Sequence, residues 1–81
     1  MQIDNFMNLI KSGFDVSFNY KDVFYTISLI EDNVTGKQYG IGADNGFTTD
    51  FETIESIPTF VLEDKQIKDI IADLKDEEIF F

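Results

Sequence analysis

Carboxylate is the one reactive group that this chain carries in quantity. Sixteen Asp and Glu stand against six Lys, for a formal net charge of −10, and there is no Arg, His, Cys or Trp. Without His, no side chain has an ordinary pKa near neutrality from which to act as a general base. Ser12, Ser17, Ser28 and Ser56 therefore have no imidazole to activate them. Without Cys there is no thiolate nucleophile, disulfide or thiolate metal site. Paired carboxylates could flank a glycosidic bond, but a chain of 81 residues with one core leaves little room for a sugar-sized cleft. No catalytic residue, cofactor or metal site is assigned, and the chain is expected not to be an enzyme.

Other spacings that could hold an ion or a phosphate are incomplete. Glu31, Asn33, Thr35 and Gly36 follow the first half of a calcium loop, but Gly42 stands where the closing bidentate Glu belongs. A solvated turn is the expected reading. Gly40-Ile41-Gly42 lies inside a strand pattern with no further Gly at phosphate-loop spacing. A bulge or the close approach of another backbone explains those glycines better.

The acids are unevenly placed. Residues 1–49 carry a net charge of −3 and residues 50–81 a net of −7. Ile67, Ile70, Ile71 and Leu74 define the buried side of a helix over about residues 64–75. Asp69, Asp73 and Asp76 then form one flank at i, i+4 and i+7, and Lys68 and Lys75 fall on the other. Like charges at that spacing cost a helix roughly 0.2–0.5 kcal/mol per pair, so helix stability alone does not favour the row. Spanning roughly 10 Å, it could imitate a run of phosphates toward a DNA-binding protein. An ordinary solvated helix face is the competing explanation.

The segment Asp76-Glu77-Glu78-Ile79-Phe80-Phe81 sets three acids directly before three large apolar residues. A closing edge strand with Ile79 and Phe81 on one face is the favoured reading, because exposing all three apolar side chains invites aggregation. The other is a docking tail, whose Phe rings enter a pocket while the acids meet a basic rim. As a tail it resembles the acidic-then-Phe ends of bacterial single-stranded-DNA-binding proteins, though it lacks the Pro before their final Phe. The candidate partner-binding residues are thus Asp69, Asp73, Asp76, Glu77, Glu78, Phe80 and Phe81.

The elements that must position these residues follow from periodicity. Ile3, Phe6, Met7 and Ile10 mark one face of a helix over about residues 2–12, ended by Gly13 with Phe14 packing back. The period then becomes two. Val16, Phe18 and Tyr20 share a face, and Val23, Tyr25, Ile27 and Leu29 form the next buried row after a turn near Lys21-Asp22. A turn-rich loop over residues 32–37 leads to a third strand with Tyr39, Ile41 and Ala43 inward. Asn45-Gly46 signals a hairpin into a short fourth strand from Phe47. Thr49 and Glu52 have capping-box spacing for a short helix lined by Phe51, Ile54 and Ile57 and ended by Pro58. Residues 60–62 read as extended or irregular.

The chain is therefore expected to be a single α+β domain over residues 1–81, an antiparallel β-meander of four to five strands packed against an N-terminal and a C-terminal helix. Short, acidic and rich in Asn, Ile, Lys and Phe, it resembles small uncharacterised proteins of Gram-positive bacteria and their phages. That resemblance implies a fold style and a mobile-element setting, and carries over no functional residue.

Clustered positive charge is what binds nucleic-acid phosphates and anionic membranes, and this chain opposes both. The expected partner is another protein with a basic surface. The expected role is adaptor or inhibitor, in the monomer or a homodimer. The alternative is an assembly protein that self-associates through a sheet edge or the Ile79-Phe80-Phe81 segment. Met1-Gln2-Ile3-Asp4 lacks the basic and apolar regions of a signal peptide, and no apolar run approaches the roughly 20 residues of a membrane helix. A cytoplasmic location is expected, in which the sequon Asn33-Val34-Thr35 has no meaning.

Overall fold

A computed structural model describes residues 1–32 and 36–81. Helix α1, Ile3–Lys11, buries Phe6, Met7 and Ile10. It stops where Gly13 takes φ +93°, and Phe14 N–H donates to the Leu9 carbonyl at 3.1 Å. That is a glycine-ended helix closing its own last turn, as the spacing predicts.

Strands β1 (Val16–Tyr20), β2 (Val23–Asp32), β3 (Gly36–Ala43) and β4 (Thr48–Asp50) form an antiparallel sheet in the order β1-β2-β3-β4. Register places Val16 opposite Ile27, Phe18 opposite Tyr25 and Ile27 opposite Ile41. These residues all lie in the core with the buried face of α1, and the Phe6 ring meets Phe18 edge-on at 6.0 Å. The opposite face of the sheet carries Ser17, Thr26, Ser28, Gly40, Gly42 and Thr48. The chain is thus an α+β fold whose sheet is clad by helices on one side.

Two turns set the meander. Lys21 and Asp22 both have positive φ, 49° and 64°, in the two-residue link between paired Tyr20 and Val23. Asn45-Gly46 does make a hairpin, but only Gly46 has positive φ. The link spans Asp44, Asn45 and Gly46, with Ala43 N–H donating to the Phe47 carbonyl at 2.8 Å. A three-residue loop closed by a left-handed Gly replaces the tighter turn.

Three expectations are corrected. The short helix from Thr49 is a single 3-10 turn, Ile54–Ser56, because Thr49 is committed to β4 opposite Ile41. Phe51 and Ile57 are still buried. Residues 61–66 form a small hairpin, β5 (Val61–Leu62) with β6 (Lys65–Gln66), turned by Glu63 at φ +59°. The second helix, α2, consequently covers only Ile67–Asp73. No bulge interrupts β3 at Gly40 or Gly42, since its pairing with β2 runs unbroken from Ala43 to Gly36. Asn33, Val34 and Thr35, with their sequon and calcium-like spacing, lie outside the described residues.

Candidate interaction surface

The candidate surface grows from α2. Ile67, Ile70 and Ile71 face the core, which turns Asp69 and Asp73 to solvent. Leu74 leaves the helix at φ −91°, ψ 142°, so Asp76 does not extend the helical row. Only Asp69 and Asp73 share the helix, and Asp73 reaches Lys65 at 3.0 Å. That contact raises the pKa of the Lys65 ammonium through the hydrogen bond to Asp73 and its charge. The continuous acidic flank predicted at i, i+4 and i+7 is broken at Asp76.

The chain then makes a 3-10 turn, Asp76–Glu78, held by Glu78. Its Oε1 accepts from Lys75 N–H, and its own N–H donates to the Lys75 carbonyl, both at 2.9 Å. Ile79 dips into the core at 4 % exposure. Phe80 exchanges two main-chain hydrogen bonds with Ser17, each 2.8 Å. The C-terminal residues therefore close the β1 edge through one bridge, and they are not a free tail.

Ile79 and Phe81 do not share a buried face. Phe81 is 65 % exposed and meets Phe14 edge-on at 5.9 Å, while Phe80 is 50 % exposed and leans on Phe24 at 5.9 Å. Glu77, Glu78 and Phe80, with Asn19 and Leu74, line a groove of about 170 Å³. Of the seven predicted site residues, the structure gathers Glu77, Glu78 and Phe80. Asp76 begins the same turn, whereas Asp69 and Asp73 belong to the neighbouring helix surface.

Two features had no sequence signal. Asp64, in the β5–β6 turn, accepts from Tyr20 Oη at 2.5 Å and pairs with Lys21 Nζ at 2.8 Å, with the ammonium 5.6 Å from the Tyr20 ring centroid. The hydrogen bonds from Lys21 and Tyr20 hold the Asp64 carboxyl below its ordinary pKa, and the same bonds raise Lys21 and Tyr20. These partners lie 43 and 44 residues apart in sequence, beyond any periodic pattern.

The second feature is a shallow groove of about 490 Å³ on the unclad sheet face, lined by Thr26, Ser28, Ile30, Gly40, Gly42 and Asp50 among others. Gly40 leaves little room there for a side chain. An added Cβ would stand 3.1 Å from Ile30 Cδ1 and 3.2 Å from Asp50 Oδ1.

Chemically these surfaces offer carboxylates, hydroxyls and aromatic rings, which suit recognition of cations and apolar groups. Among the described residues, no group of three or more His, Cys, Asp or Glu side chains is gathered to hold a metal ion, and no helix is long and apolar enough to cross a membrane. Comparison with protein-family models, curated proteins and solved structures finds no match to this chain.

Proposed function

We propose that this chain is a non-catalytic protein-binding domain whose acidic C-terminal surface docks on a basic surface of another protein, as an adaptor or inhibitor. The observation that supports this most is the placement of Phe80. Its backbone is locked to Ser17 while its ring stays half exposed in a groove shared with Glu77 and Glu78. An aromatic beside acids on a fixed backbone suits an interface, because little backbone freedom remains to be lost on binding. The acids would steer a basic partner and fix its register. A protein that itself binds nucleic acid presents such a surface.

The Asp73–Lys65 pair does not oppose this role. Both side chains are substantially exposed, and such pairs contribute little stability, so a partner Arg can displace Lys65 at small cost. Affinity capture from the native cell, followed by mass spectrometry, tests the reading. Partners held by the wild-type chain should be lost from Asp69→Lys with Glu77→Lys, and separately from Phe80→Ala. Partners that survive both changes would refute it. The exposed Phe14–Phe81 pair supports a second reading, self-association through the C-terminal residues, for which sedimentation should show a dimer lost on Phe81→Ala.

A further inference from the structure

We infer that the outer edge of β4 is a docking site for an extended, basic peptide segment of a partner protein, added as a further strand. This surface is separate from the C-terminal one. The hydrogen bonds Ala43 N–H to Phe47 carbonyl and Phe51 N–H to Tyr39 carbonyl, both 2.8 Å, fix which main-chain groups of β4 face β3. Those of Phe47, Thr49 and Phe51 turn inward. By antiparallel alternation, the N–H and C=O of Thr48 and Asp50 turn outward. Strand β4 is last in the sheet order, and no main-chain hydrogen bond joins Thr48 or Asp50 to a further strand among the described residues.

What flanks this edge defines its occupant. On the unclad face lies the 490 Å³ groove, where the Asp50 carboxylate reaches over Gly40. Beyond the edge on the other side lies a groove of about 360 Å³ lined by Asp50, Phe51, Glu52, Ser56, Thr59 and Phe60. Side chains of an added strand alternate between the two faces. One set would meet Asp50 beside small Ser, Thr and Gly residues, and the other would meet Glu52 beside Phe60. Neither carboxylate forms an ion pair with a described side chain, so Lys or Arg in the peptide would supply the missing charge.

A second copy fits less well. Two chains of net charge −10 repel. Antiparallel pairing of two β4 strands about Thr49 would also set both Asp50 carboxylates on one face, at diagonal positions about 7–8 Å apart.

The test is fluorescence anisotropy with a short, blocked peptide of alternating lysine and valine. Two controls accompany it, the same peptide fully N-methylated and a glutamate–valine counterpart. The lysine–valine peptide should bind saturably at low salt. N-methylation preserves its charge but removes its main-chain donors, and should weaken binding by about tenfold or more. The acidic peptide should not bind.

Thr48→Pro removes an edge donor without touching a bond to β3, and should weaken binding by a similar factor. Asp50→Asn with Glu52→Gln should do likewise, whereas Phe80→Ala should leave binding unchanged. In the wild-type chain, hydrogen exchange of the Thr48 and Asp50 amides should slow when the peptide is bound. No binding of the lysine–valine peptide, equal binding of either control, or unslowed Thr48 and Asp50 amides overturns the proposal. A Thr48-dependent dimer that the peptide cannot dissociate overturns it too, since the occupant is then a second copy.

Discussion

At the scale of single residues, backbone strain and one exposed cluster make separate predictions. Asp22 sits at φ +64° without being glycine, in a two-residue turn whose second position favours Gly. Left-handed backbone costs a residue with a Cβ roughly 1–2 kcal/mol, partly offset in Asp by its short polar side chain. Asp22→Gly should therefore stabilise the fold by about 0.5–1 kcal/mol, even after the added freedom of the unfolded chain. A urea melt would read this as a raised midpoint with an unchanged slope; a lowered midpoint would mean the side chain has a role in the turn.

The Tyr20–Lys21–Asp64 cluster predicts a pH dependence. The Asp64 pKa is depressed by its hydrogen bonds, so its contribution is present above the ordinary carboxylate value and fades as pH falls through the folded one. Lys21 and Tyr20 are raised, so theirs is present below their ordinary values and fades as pH rises through the folded ones. The difference in stability between wild type and Asp64→Asn should be flat near neutrality, shrinking below about pH 4 and above about pH 10. Because all three groups are at the surface, salt should shrink it as well.

At the scale of elements, residues 74–81 form an anchored segment, and the contrast between neighbours tests this. Ile79 is buried, so Ile79→Ala should cost about 2–5 kcal/mol through lost transfer energy and a residual cavity. Phe80→Ala removes a half-exposed ring and leaves the backbone bridge, and should cost about 1 kcal/mol or less. Equal, small costs for both would mean the segment is a tail.

This segment also shows which elements could be read from the sequence. Helix α1, the inward rows of β1 to β3 and both meander turns were legible because period and turn chemistry are local. The boundaries of α2 were not. Asp64 resembles a helix start, yet its side chain is held by Tyr20 and Lys21 from another hairpin, and Glu63 turns the chain before the helix begins. The helix lost by Thr49 and Glu52 has the same origin, a ladder bond to β3 outweighing a local cap. Within the candidate surface, the acids and Phe residues were legible as composition. Their grouping around one groove depended on Ser17 pairing with Phe80, a contact 63 positions away in the chain that only the closed sheet creates.

At the scale of the whole molecule, charge opposes compactness. The fold packs a net charge of −10 into extents of 36 × 26 × 20 Å, and the two ion pairs among its described side chains are both exposed. At low ionic strength, screening extends over about 30 Å, comparable to the molecule, and at 1 M over about 3 Å. Self-repulsion among the acids should thus dominate the few attractive pairs, and added sodium chloride should raise stability. Each kcal/mol gained reads as about 4–8 °C in Tm for a domain of this size.

Asp69 and Glu77 allow the source to be located, because neither makes an ion pair or side-chain hydrogen bond with a described residue. Replacing both by Lys changes the net charge by four units. If these acids serve a partner and contribute only repulsion to the fold, Asp69→Lys with Glu77→Lys should unfold at a higher urea concentration than wild type in low salt. The gap should narrow as salt is added. A variant less stable than wild type at low salt would show that the acids make favourable contacts within the domain, and would remove the stability cost as a sign that the acidic surface is kept for binding.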